Sequence, residues 1–188
     1  DEAYGDDRDY AFETGLLARL ILSAVIEGDR HDTGAFMSGP HLRTWPEDMG
    51  PVWEGRLAYL EGKLAQFPQE TPVEKARHAI SERCRAFASR EPGIFRLNVP
   101  TGGGKTLSSL RYALAHGRIY HKNRLIFVSP LLSILEQNAR VIHEYVGDDG
   151  LILEHHSNVV REERSDKDGL DPAELLTETW DAPIIVTT

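Results

Sequence analysis

The stretch Phe95-Arg-Leu-Asn-Val-Pro100-Thr-Gly-Gly-Gly-Lys105-Thr106 constrains this chain more than any other. An apolar, strand-like run enters a glycine-rich loop, and the loop opens onto a helical pattern that starts near Lys105. Strand, loop and helix in that order are the context that gives a phosphate-binding loop physical meaning. Glycines let backbone N–H groups approach phosphate oxygens, and a helix N-terminus adds a partial positive charge. Thr101, Gly102, Gly103 and Gly104 are thus expected to cradle the phosphates. Lys105 can reach the β- and γ-phosphates and the Thr106 hydroxyl can sit on Mg²⁺, so the implied ligand is a nucleoside triphosphate with Mg²⁺. The pattern G-x-x-x-x-G-K-[ST] asks for glycine at position 99, where this chain has Val99.

The form Pro-Thr-Gly-x-Gly-Lys-Thr resembles motif I of superfamily 2 helicases and translocases, which accommodates Val99. The surrounding pattern agrees with an α/β domain. Arg124-Leu-Ile-Phe-Val128 is a continuous apolar run, as expected of a strand buried on both faces of a parallel sheet. Leu151 to Glu154 and Ile184 to Thr187 read as further strands, and Ile94 to Val99 as the first. Helices are expected from Lys105 to about Ala115, tapering toward Tyr120, from Leu131 to Val146, and from Pro172 to Trp180; 159–169 reads as an exposed helix or loop. Four strands alternating with helices predict an open parallel sheet with nucleotide at the strands' carboxyl ends.

Upstream, apolar residues recur at helical spacing from Tyr10 to about Glu27, with Gly28 placed to end the helix. A loop rich in glycine and proline follows, then a second helix from Trp53 to Phe67. Gln66-Phe-Pro-Gln-Glu-Thr-Pro72 reads as a linker, which sets the boundary between residues 1–66 and 67–188. Thr71-Pro72-Val73-Glu74 carries a capping box with proline at the first helical position, predicting a helix to about Ser89.

Charge narrows the partners less than the loop does. Net charge is −9, of which residues 1–50 carry −7 (11 acids, 4 bases) and the remainder −2 (19 acids, 17 bases). Any nucleic-acid contact must therefore come from a local groove and backbone groups rather than a basic face. Ser129-Pro130 breaks the second strand and exposes N–H groups and small hydroxyls, which suits either backbone contact with nucleic acid or an ordinary strand-to-helix turn. Ser129, Pro130, Gln137 and Asn138, with Ser157 beyond His155-His156 and Thr187-Thr188 at the last strand end, are the candidate contacts; strand propensity explains the threonines equally well. The adjacent histidines point to opposite faces of an extended segment, which fits a polar strand end better than a metal site. Cys84 is alone, so no internal disulfide is available, consistent with a reducing, cytoplasmic setting; it reads as a small buried hydrophobe. The longest apolar stretch, Leu16 to Ile26, is broken by Arg19 and Ser23 and is too short for a bilayer.

Taken together, Val99-Pro-Thr-Gly-Gly-Gly-Lys-Thr-Leu-Ser-Ser109, Ser129-Pro-Leu-Leu-Ser-Ile-Leu-Glu-Gln-Asn138, Leu153-Glu-His-His-Ser157 and Ile184-Ile-Val-Thr-Thr188 resemble the CRISPR-associated helicase–nuclease of type I systems, nearest the subtype C form. The resemblance runs from about residue 10 to the end. It implies the helical end of an HD-type metal nuclease domain (1–66), followed by the start of a RecA-like P-loop helicase domain (67–188). It also implies ATP-driven translocation on single-stranded DNA, cleavage at a divalent transition-metal centre, and recruitment by an RNA-guided surveillance complex in antiviral defence. Within Val25-Ile-Glu-Gly-Asp29, the family's last nuclease ligand matches Asp29, which otherwise reads as a surface residue at a helix end. His31-Asp32 lies too late to be the family's His-Asp pair. The further nuclease ligands, the Asp-Glu box and the second RecA-like domain are not among these 188 residues, so the chain is expected to be an inactive piece of a longer enzyme. The alternatives are another superfamily 2 motor without a nuclease, or a P-loop switch or kinase with no nucleic-acid role.

Overall fold

A computed structural model describes residues 7–38, 45–156 and 180–188. The chain divides into two compact units, Asp1–Arg43 with Glu163–Asp181, and Thr44–Glu162 with Ala182–Thr188. Ser157, the expected segment at 159–169 and, apart from Trp180, the expected helix at 172–180 lie outside the described residues.

In the first unit, α1 (Asp7–Ser38) is a single long helix. Gly28 does not end it. A glycine inside a helix costs only about 1 kcal/mol relative to alanine, too little to stop a strong neighbouring pattern. Its apolar residues Phe12, Leu16, Leu17, Leu20, Ile21 and Val25 are all exposed.

The second unit holds α2 (Gly50–Leu64), α3 (Pro72–Phe87), α4 (Lys105–Ile119), β1 (Leu125–Val128), α5 (Leu132–Val146), a 3₁₀ turn (Asp149–Leu151), β2 (Ile152–His155) and β3 (Ile184–Thr187). The α3 capping box forms as expected: Glu74 N–H donates to Thr71 Oγ1 at 3.3 Å and Thr71 N–H donates to the Glu74 carboxylate at 2.9 Å. Backbone donation from Thr71 holds the Glu74 carboxyl below the usual range. α2 packs on α4 and α5 and lies in the same compact unit as the sheet. Trp53 of α2 is fully buried beside Leu57, Leu60, Leu110 and Leu114, and its indole N–H donates to the Lys122 carbonyl at 2.6 Å. A short apolar helix read in isolation gives no sign of which neighbour it will cover.

The sheet is parallel with order β1–β3–β2; Leu125 and Ile152 both align with Ile184. Central β3 is buried along its length. Two expectations fail here. The sheet has three described strands rather than four, because Ile94 to Val99 pairs with no strand among the described residues. The run has no regular secondary structure; Ile94 is fully exposed, Phe95 meets Phe87 edge-on at 4.9 Å, and Val99 is buried. Second, β1 is covered on one face only, with Leu125 buried and Ile126 and Val128 exposed. Among the described residues, no helix is long and apolar enough to cross a membrane.

Candidate nucleotide and nucleic-acid site

The loop between the extended run and α4 has the geometry its glycines permit. Gly102 and Gly104 take φ of +78° and +82°, a region that side chains with a Cβ rarely adopt. Gly103 has ordinary φ but no room: an added Cβ would lie 2.5 Å from Val99 Cγ1 and 3.0 Å from the Pro100 carbonyl. Val99 is therefore a packing partner of the loop. The Gly103 N–H donates to the Pro100 carbonyl at 3.1 Å and closes the turn. The first bond of α4 runs from Ser108 N–H to the Gly104 carbonyl at 3.0 Å, so the amides of Lys105, Thr106 and Leu107 precede the first intrahelical donor. Three amides at a helix N-terminus, an exposed lysine and three required glycines form a cradle that fits a phosphate chain. Gly103→Ala is expected to push the loop off Val99 and weaken nucleotide binding at least ~10-fold, which equilibrium titration with a fluorescent nucleotide measures.

Arg77, which sequence reading missed, pins the loop from α3: its Nε–H donates to the Gly102 carbonyl at 2.8 Å. Beside it a cavity of about 450 Å³ opens between α2, α3 and the loop, lined by Phe67, Pro68, Gln69, Arg77, Gly102 and Gly104 among others. That volume is in the range of small-ligand sites.

Arg111, also missed, holds α4 in place. Its guanidinium is 5% exposed and reaches Glu61 of α2 (2.8 Å), Glu82 of α3 (2.7 Å) and the Ser81 hydroxyl (3.0 Å). Burial opposes its charge, but the Glu61 and Glu82 carboxylates outweigh that and raise its pKa. Hydrogen bonding from Arg111 in turn holds Glu82 below the usual carboxylate range. A signal existed in the sequence: Arg111 falls inside the stripe Leu107, Leu110, Leu114, where a charge at i+4 needs a buried partner. Cys84 on α3 is half-buried and desolvation raises its thiol pKa, the reverse of what a nucleophile requires.

The residues expected to line a nucleic-acid groove separate into two groups. Pro130, Gln137 and Thr188 are exposed. Ser129, Asn138 and Thr187 instead spend their polar atoms inside the protein. Thr106 Oγ1 donates to Asn138 Oδ1 at 2.9 Å, and Asn138 Nδ2 donates to Ser129 Oγ at 3.2 Å. Ser129 N–H donates to the Thr187 carbonyl at 2.9 Å, and the buried Thr187 hydroxyl donates to the His155 carbonyl at 2.8 Å. The Thr187 hydroxyl expected to face phosphate is thus a clamp across β3 and β2, since a hydroxyl buried at a sheet end must find an internal acceptor. His156 is buried with Nε2 at 3.4 Å from Glu154, and Glu154 also meets His143 Nε2 at 2.9 Å. This histidine pair serves the sheet edge.

Asp29 is exposed on α1. Among the described residues, no group of three or more His, Cys, Asp or Glu side chains is arranged to hold a metal ion.

A protein-family model described as the type III restriction enzyme, res subunit, matches residues 69–188, which run from just before α3 through β3. No curated protein matches the chain.

Proposed function

Because the chain belongs to the family of the type III restriction enzyme res subunit, a superfamily 2 helicase family that uses ATP and Mg²⁺, we propose that it is the nucleotide half of an ATP-driven motor on single-stranded DNA. The observation that carries this is the loop of residues 101–106 joined by hydrogen bonds through Thr106, Asn138 and Ser129 to the turn after β1. That tie joins the phosphate loop to the strand end that carries the exposed Pro130. Bound ATP supplies the phosphoryl transfer that drives movement. The amides of Lys105, Thr106 and Leu107 would hold its phosphates, the Lys105 ammonium would neutralise their charge, and the Thr106 hydroxyl would serve as a ligand for Mg²⁺. The cavity beside Arg77 takes the nucleoside, and the exposed Pro130, Gln137 and Thr188 meet the DNA backbone without reading its bases.

The sequence resemblance extends this to a CRISPR-associated helicase–nuclease: a target-DNA-degrading enzyme, recruited by an RNA-guided complex, with Asp29 as one ligand of a divalent transition metal. The family description favours a second reading, a restriction-type translocase without that nuclease. The two part on one variant. In the full-length protein, Asp29→Ala is expected to cut metal-dependent cleavage of single-stranded DNA at least ~100-fold while ATP hydrolysis stays within about twofold, as loss of a metal ligand predicts. Cleavage that survives the change, or is absent from the wild type, selects the translocase.

A further inference from the structure

We propose that Asn138 is a positioning residue that aims the Thr106 hydroxyl at Mg²⁺ and links it to the turn that faces DNA. The inference rests on the motor reading above and deepens it. A threonine hydroxyl has one proton and two lone pairs. Donating its proton to Asn138 Oδ1 at 2.9 Å fixes the Thr106 hydroxyl and leaves both lone pairs for a cation. Without that acceptor the proton is free to rotate toward the cation and oppose it. Partners that orient a metal ligand from behind commonly tune affinity as strongly as this.

The other end of the same amide is also fixed. Asn138 Nδ2 donates to the buried Ser129 Oγ at 3.2 Å, and Ser129 N–H is anchored on the Thr187 carbonyl. The amide thus bridges two hydroxyls, with its oxygen toward Thr106 and its nitrogen toward Ser129. Asn138 thereby connects α4, α5 and the end of β1 across 32 and 9 residues of sequence. A shift of Ser129-Pro130 on binding a strand moves the amide, and the hydroxyl follows. Asn138, expected from sequence to touch DNA, acts one bond behind the surface.

The test uses the full-length protein and a fluorescent non-hydrolysable ATP analogue, titrated with and without Mg²⁺ and with and without a single-stranded oligonucleotide. Asn138→Ala is expected to lower affinity about tenfold with Mg²⁺ and less than about twofold without it. It also removes most of the oligonucleotide's effect on nucleotide affinity. In a Thr106→Val background the same change has less than about a twofold effect, because the partner it acts through is gone. Asn138→Asp keeps the shape and the acceptor, so it retains the Mg²⁺ dependence and guards against a merely misfolded alanine variant. Equal losses in both backgrounds, equal losses with and without Mg²⁺, or an aspartate variant as weak as alanine would overturn the role of Asn138 alone. Wild-type protein whose nucleotide affinity ignores Mg²⁺ would overturn it together with the motor reading.

Discussion

Lys105→Ala in the full-length protein is expected to lower ATP hydrolysis at least ~100-fold, the scale seen when one preorganised charge-stabilising donor is removed. In the proposed motor the ammonium would offset the charge of the β- and γ-phosphates and hold the γ-phosphoryl group toward the amides at the start of α4. The side chain is exposed and its carbonyl already accepts from Ser109 Oγ at 2.7 Å, so the helix start does not depend on the ammonium. Thermal unfolding should therefore stay within about 0.5 kcal/mol of wild type, as for other surface changes. Nucleotide-free binding of single-stranded DNA should also hold. A variant that lost DNA binding along with hydrolysis would place Lys105 in the DNA path instead.

The second large effect is on stability. Arg111→Ala is expected to cost about 3 kcal/mol, near the lower end of the range for breaking a buried ion pair. The lower end applies because Glu61 and Glu82 are partly exposed and regain water once the guanidinium is gone. The loss includes the bond to Ser81 and the seam where α2, α3 and α4 meet. The same network predicts an acid limb. Glu82 has a depressed folded pKa, so its contribution is present above the ordinary glutamate value (about 4.3) and fades as pH falls below it. Urea unfolding at pH 7 and at about pH 3.5 tests both points: wild type loses stability on acidification, and Arg111→Ala, weaker at pH 7, loses less. A variant as stable as wild type at pH 7 would show the network to be solvated decoration. Because α4 carries Lys105 and Thr106 at its first turn, the variant should also bind nucleotide less tightly.

How much of this was legible in the chain follows from which interactions are local. The capping box at Thr71 and Glu74 and the loop at 101–106 were readable because their partners lie a few residues away. The helix at Leu132–Val146 and the strand at Ile184–Thr187 followed from apolar periodicity alone. The resemblance to superfamily 2 motors agrees with the family match over 69–188. What escaped was long-range. Ile94 to Val99 has a strand's pattern, yet a strand needs a neighbour, and pattern carries no information about one. Gly28 looked like a stop signal, but its cost is small beside the helical preference around it. Arg77 and Arg111 were not singled out, because their partners are set by how α3 and α2 pack around α4 and its loop. Ser129, Asn138 and Thr187 were expected to face nucleic acid, but whether a polar side chain faces solvent or a neighbour is decided by tertiary packing.

The measurement that bears most directly on the central claim is the rate of ATP hydrolysis by the full-length protein with and without a single-stranded oligonucleotide. A motor whose phosphate loop is tied to a nucleic-acid turn should hydrolyse ATP at least ~10-fold faster when the strand is present, a coupling of about 1.4 kcal/mol. A rate unchanged by DNA, with Lys105 intact, would contradict the account and leave a nucleotide site with no nucleic-acid role.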